Sequence, residues 1–266
     1  MNTRTNLRRG FWIAVFISWH LSSFAAFYNN QVYPGNGVSG TIGNGTLRLY
    51  NNATTVYANF TNVINGSFTD NLVMFIDCAP GGYDSTALFK DNGNALQSAT
   101  SGYKTSRATA NFAPGFSADY AIALSPNNSG SALYKLVDDG AGPYLLLIRS
   151  SLGLTPTDNI GSPVFYWQFD WTDIGLPAQK TNFFKFETSY VTGYGYRSLQ
   201  SFEGLTGREG FNTVSFTNYD TYGVPPVPEN TNLALGVFGG IAASVAISSR
   251  WRRRYNQRQA CSDRLL

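Results

Sequence analysis

The sequence predicts an all-β protein: a β-sandwich or jelly-roll-like body with a transmembrane helix near its C-terminus. Three observations predict it. Short runs rich in aromatic and β-branched residues recur between Asn/Gly/Asp/Ser clusters along 26–223, the pattern of strands separated by turns. No stretch of that body shows the apolar spacing of an amphipathic helix. Near the end, residues 233–249 form 17 consecutive residues without a charge, and a cluster of arginines follows. Of the 266 residues, 15% are aromatic and only 13% charged, against about 25% charged in an average domain. Such a chain can fill a sizeable core and lacks the composition of a disordered one.

The first element, 1–25, reads as a secretory signal peptide. Arg4, Arg8 and Arg9 form a positive start, residues 11–21 (FWIAVFISWHL) an apolar stretch, and Ser23-Phe24-Ala25 the small-residue pattern before a cut between Ala25 and Ala26. The alternative is an uncleaved anchor, for which the apolar run is short of the ~20 residues a span needs.

The body follows at 26–223. Its candidate strands are 46–50 (TLRLY), 55–60 (TVYANF), 72–77 (LVMFID), 120–124 (YAIAL), 132–137 (ALYKLV), 144–148 (YLLLI), 164–170 (VFYWQFD), 182–189 (NFFKFETS) and 213–217 (TVSFT). Many strands without helices predict two packed sheets. LVMFID is almost wholly apolar, which predicts a central strand covered on both faces. VFYWQFD carries large aromatics on both faces, so one face fills the core and the other is surface or lies under a loop. Asp91-Asn92-Gly93 and Asp138-Asp139-Gly140 are turn signals, because Gly accepts positive φ. Residues 171–176 (WTDIGL), before Pro177, predict one helical turn.

Composition excludes much chemistry. The only histidine is His20, inside the predicted signal peptide, so the mature chain has no His-dependent triad, no His-ligated zinc and no His acid/base step. Gly35-Asn36-Gly37 and Gly43-Asn44-Gly45 are Asn-Gly turns without the strand–loop–helix setting of a phosphate loop. Between Ala26 and Glu229 there are 10 Lys/Arg against 15 Asp/Glu, so the body has no electrostatic footprint for nucleic acid. Cys78 has only Cys261 as a possible partner, beyond the predicted membrane helix, and reads as a buried thiol.

Three kinds of residue remain as site candidates. Trp167, Trp171, Tyr190, Tyr194 and Tyr196 are aromatics able to stack on sugar rings; the alternative is that they pack the core. Residues 190–196 (YVTGYGY) are a Gly-punctuated aromatic loop, and such loops carry recognition. Asp170, Asp173, Glu203, Glu209 and Asp220 are carboxylates from which a glycosidase pair would have to come, although aspartates at strand ends more often cap turns. No metal or other cofactor is required; calcium is the one that fits, with Asp77, Asp84, Asp138 and Asp139 as oxygen ligands.

The apolar strand ending in Asp77, followed by Gly81-Gly82, with Ser117-Ala118-Asp119-Tyr120 and Leu133-Tyr134 beyond, is similar to secreted β-sandwich modules that include carbohydrate-binding modules. The likeness implies a surface domain and transfers no binding residues.

The chain ends in three parts. Residues 224–232 (VPPVPENTN) are a Pro-rich, extended linker. Residues 233–249 span about 25 Å as a helix, the low end for crossing a bilayer. Residues 250–266 open with Arg250, Arg252, Arg253 and Arg254, which hold this end in the cytoplasm and leave the body outside the inner membrane. This layout resembles the PEP-CTERM sorting signal of Gram-negative bacteria. Val227, Pro228 and Glu229 mark the motif, and Asn230 stands where its second proline usually is. The resemblance covers residue 224 onward. It implies export by the Sec machinery, retention in the inner membrane, processing by an exosortase near Pro228-Glu229, and release to the cell surface or the extracellular polysaccharide matrix. The function expected is therefore a non-catalytic surface or matrix protein. The rival expectations are a carbohydrate-binding module of the matrix and a secreted glycan-active enzyme.

Overall fold

The structure, a computed structural model, describes residues 28–61, 68, 70–104, 107–125, 130–157 and 164–223. The predicted signal peptide with its Ala25/Ala26 cut, the motif at Val227, Pro228 and Glu229, the predicted membrane helix and Arg250, Arg252, Arg253 and Arg254 lie outside them. The chain divides between Val224 and Pro225, and all described residues belong to the first unit. Among the described residues, no helix is long and apolar enough to cross a membrane.

The described body is all-β apart from two short helical pieces. The strands are β1 (Tyr28–Pro34), β2 (Thr46–Asn51), β3 (Thr55–Thr61), β4 (Asn71–Asp77), β5 (Ala110–Asn111), β6 (Tyr120–Ser125), β7 (Gly130–Asp138), β8 (Pro143–Arg149), β9 (Thr155–Thr157), β10 (Val164–Asp170), β11 (Phe183–Val191), β12 (Leu205–Gly207), β13 (Val214–Phe216) and β14 (Asp220–Gly223). Every candidate strand read from the sequence is present. Helix α1 is Ala95–Ser101, and a 3-10 turn occupies Trp171–Ile174 where one helical turn is predicted.

One sheet has the order β1-β2-β3-β10-β9, a second β14-β11-β4-β6-β7-β8, and a small third sheet β12-β13-β5. In the first sheet, β3 alternates strictly, with Val56, Ala58 and Phe60 buried between half-exposed neighbours. That period of two puts one face inward. Opposite it, Leu72, Met74 and Ile76 of β4 and Phe184 and Phe186 of β11 fill the same core. Contacts across the two layers fix it. Tyr33 and Phe186 meet edge-on at 4.9 Å, and the buried Tyr222 hydroxyl donates to Asn51 Oδ1 at 2.7 Å.

The pairing of the layers is crossed. β3 pairs with β10 in one sheet, and β4 pairs with β11 in the other, so each of these consecutive strand pairs is split between the two sheets.

The second sheet is covered on both faces, so β4 is buried from Asn71 to Ile76 and β6 throughout. Its outer face packs Val73, Phe75, Ala121, Ala123 and Tyr134 against Phe89, Ala99, Phe112, Phe116, Val214 and Phe216 from α1, the small sheet and the connecting loops. Helix α1 has no apolar period to reveal it; its signals are the caps. Asn94 Oδ1 accepts the Gln97 N–H at 2.9 Å, and Gly102 ends the helix at φ 69, where a Cβ would lie 1.9 Å from the Ala108 carbonyl oxygen.

Candidate functional site

The geometry selects the loop that leaves β11. Tyr190 is still on the strand, with its ring in the core beside Phe68 at 5.7 Å and its hydroxyl accepting the Asp70 N–H at 3.2 Å. The chain then turns within five residues. Thr192 Oγ1 accepts the N–H groups of Tyr194 and Tyr196 at 3.3 and 3.0 Å, and Gly195 donates to the Thr192 carbonyl at 2.9 Å. Gly195 has φ +83, and a Cβ there would stand 3.0 Å from the backbone of Gly102. Only glycine satisfies both demands.

Beneath the loop, Arg197 is fully buried. Its guanidinium donates to the carbonyls of Ala108 (2.8 Å) and Thr100 (3.0 Å) and to Ser189 Oγ (3.0 Å), and it lies over the Phe75 ring. Burial lowers its pKa to about 9. This side chain ties the loop to the end of α1 and to β11, so the loop is stiff. A stiff loop presents its rings with little entropy left to lose on binding.

What it presents is aromatic. Tyr194 is 68% exposed, Tyr196 41% and Phe211 44%; Tyr196 and Phe211 meet edge-on at 5.9 Å. Beside them runs a groove of about 210 Å³ lined by Asp70, Tyr190, Thr192, Tyr196, Ser198, Gln200 and Glu209. Glu209 Oε1 accepts Ser198 Oγ–H and the Leu199 N–H at 3.3 and 3.2 Å. Gln200 Oε1 accepts the Ile42 N–H at 3.0 Å. Burial raises the pKa of Asp70. Rings beside hydroxyl, amide and carboxylate groups fit a ligand with apolar faces and many hydroxyls. No sequence motif marks Asp70, Ser198, Gln200 or Phe211, and none joins Glu209 to the loop. Cross-strand pairing of Val191 with Asn71 and Tyr190 with Leu72 brings Asp70 to the groove, and no local pattern signals that register.

The two tryptophans are core residues, not ligand-stacking rings. Trp167 is 2% exposed and Trp171 not at all, so neither can stack on a ligand. On β10, Phe165, Trp167 and Phe169 point inward by strand alternation, while the 3-10 turn folds Trp171 into a stack with Tyr222 at 6.1 Å. Tyr190 keeps only the edge it lends to the groove.

The other candidates are dispersed. Arg149 bridges Asp173 at 2.9 Å and Asp170 at 3.6 Å, and Asp173 Oδ2 also accepts the Asp170 N–H; both aspartates hold the turn. Glu203 is buried, with one oxygen accepting from Thr188 N–H and Oγ1–H at 2.8 Å, and burial raises its pKa well above the ordinary range. Burial also raises Asp220. Asp77 pairs with Lys185 at 2.9 Å. Asp138 and Asp139 accept the N–H groups of Gly140 and Ala141, which shapes the β7–β8 turn. Asp84 lines a separate surface cavity. Among the described residues, no three His, Cys, Asp or Glu side chains are grouped to hold a metal ion. Cys78 donates its thiol to the Ile174 carbonyl at 3.3 Å; burial, helped by Asp119 and Asp77, pushes its pKa up to about 12, which disfavours the thiolate at neutral pH.

No family model, no curated protein and no solved structure matches the chain.

Proposed function

We propose that the chain is an exported, non-catalytic surface or matrix protein whose β-sandwich body holds a neutral polysaccharide at the 190–196 loop. The Sec machinery exports it. The segment 233–249 anchors it in the inner membrane, with Arg250, Arg252, Arg253 and Arg254 on the cytoplasmic side. An exosortase acts near Val227-Pro228-Glu229. The observation that supports ligand binding is the exposure of Tyr194 and Tyr196 on a loop pinned from below by Arg197. Exposed rings on a rigid loop, next to a groove of hydrogen-bonding side chains, are what a sugar chain requires. Calcium has no role in this reading.

The test is affinity electrophoresis of the full-length chain through gels containing neutral glucans, mannans or xylans. One of them retards the parent, and Tyr194→Ala with Tyr196→Ala removes the retardation while leaving the melting curve in place. Retardation by none of these polymers, or retardation that survives the double substitution, defeats the proposal.

One observation favours a second reading, a glycan-cleaving enzyme. Asp70 and Glu209 line the same groove, and glycoside hydrolysis uses two carboxyls across a cleft, roughly 5–10 Å apart. The raised pKa of Asp70 suits the proton donor. Release of reducing ends by the parent chain, abolished by Asp70→Asn, would decide for it.

A further inference from the structure

A surface cavity of about 620 Å³ lies away from the aromatic loop. It opens beside the start of β8, and its lining includes Leu88, Lys90, Arg107, Asp139, Pro143 and Tyr144. We infer that it is a second glycan site, selective for sugars that carry a carboxylate: Lys90 and Arg107 hold the acid group, and Leu88, Pro143 and Tyr144 face the sugar ring.

Charge is the first argument. The body between Ala26 and Glu229 is net acidic, yet two cations meet on this one cavity. Among the described residues neither is in an ion pair; the pairs present belong to Arg149 and Lys185. Arg107 donates one long hydrogen bond, 3.4 Å, to the Phe89 carbonyl and lies over the Tyr103 ring. That orients the guanidinium and leaves most of its donors open for a carboxylate, which it can take in bidentate fashion. The single acid of the lining, Asp139, has one carboxylate oxygen bonded to the Ala141 N–H within its own turn.

The apolar wall is the second argument. Leu88 is 62% exposed, and Pro143 and Tyr144 line the cavity with it, so the two cations stand beside an apolar wall. A free inorganic anion would use the two cations and leave this wall bare. A sugar acid uses both. Exposed ion pairs are individually weak, so useful retention comes from a polymer that repeats the acid group and rebinds. This site is independent of the neutral-glycan reading of the 190–196 loop.

The test uses the full-length chain in affinity gels containing polygalacturonate or, in parallel, neutral dextran. The inference expects retardation by polygalacturonate, largely lost near 1 M salt, where the screening length falls to about 3 Å. Lys90→Gln with Arg107→Gln should weaken it roughly tenfold, the effect of losing two surface ion pairs, with an unchanged melting curve. Tyr194→Ala with Tyr196→Ala should leave it intact. Four results overturn the inference: no retardation by the acidic polymer, retardation insensitive to the Lys90/Arg107 substitutions, equal retardation by dextran that those substitutions remove, or loss of acidic-polymer binding in the tyrosine variant. The last places the acid in the aromatic groove. Failure of dextran alone to bind leaves this site standing and weighs only against the neutral-glycan reading.

Discussion

Glu187 sits in the middle of β11 with no exposed surface. One carboxyl oxygen accepts the Ala113 N–H at 2.9 Å, and the other, also buried, has no partner. Burial, reinforced by the nearby Asp77, pushes its pKa up from 4.5 to about 8. The sign follows directly. Between those values the folded chain keeps the proton and the unfolded chain releases it, so this group's contribution to stability is full at acid pH and is lost as pH rises towards 8. Each pH unit in that window costs about 1.4 kcal/mol, and the whole window roughly 5 kcal/mol. Glu187→Gln keeps the shape and the acceptor for Ala113 but cannot ionise. The predicted outcome is near-equal stability of the two proteins at pH 4.5. The variant's advantage then grows by about 1.4 kcal/mol per pH unit and levels off above pH 8. Glu203, also raised, is present in both proteins and cancels in the difference. Urea unfolding at closely spaced pH values reads this directly, with the buried Trp167 and Trp171 as fluorescent reporters. A stability difference that does not change with pH would refute the reasoning, as would a variant less stable than the parent at pH 8.

Other substitutions have equally definite expectations. Trp171→Ala should cost about 3–5 kcal/mol in urea unfolding, because Trp171 is wholly buried against Phe184 and Tyr222; a loss under about 1 kcal/mol would contradict its core assignment. Gly195→Ala places a Cβ at φ +83 and 3.0 Å from Gly102. A cost of about 1–3 kcal/mol is predicted, with weaker glycan retention than the parent, and a neutral result would mean the loop is not held as described. Arg149→Ala removes partly exposed pairs to Asp170 and Asp173 and should cost no more than about 1 kcal/mol. Neutralising Arg250, Arg252, Arg253 and Arg254 together should impair membrane retention and C-terminal processing. Fractionation with intact-mass analysis checks it, and an unchanged mass and distribution would remove the sorting proposal.

The strands were legible because each announces itself locally. TVYANF alternates, and β3 alternates in burial; LVMFID does not, and β4 is covered on both sides. What covers β4 was not legible. Helix α1 reads ALQSATS, without an apolar stripe, and β5 and β12 have two and three residues, too few to show a period. These pieces form an outer layer because the second sheet presents an apolar face to them, which is a tertiary cause. The tryptophans went the other way. As sequence they are candidate ligand-stacking rings, and only the direction of β10 and the fold of the turn after it show them spent on the core.

The loop at 190–196 shows how far composition could reach towards a site. Its two glycines and three tyrosines are visible in the sequence, and exposed rings at Tyr194 and Tyr196 follow from the turn that Thr192 and Gly195 enforce. The rigidity that makes the rings useful does not follow from it. It depends on a cation, Arg197, placed where charge is costly and held there by two carbonyls, a hydroxyl and an aromatic face. A buried guanidinium needs each of these partners to offset its desolvation. Two of them, Thr100 and Ala108, flank the end of α1, the element least visible in the sequence. The fold therefore spends its one fully buried arginine, among the described residues, directly beneath the exposed rings. For the core alone a hydrophobic residue would serve at lower cost. A charge at that position makes sense where the geometry of the surface above it matters.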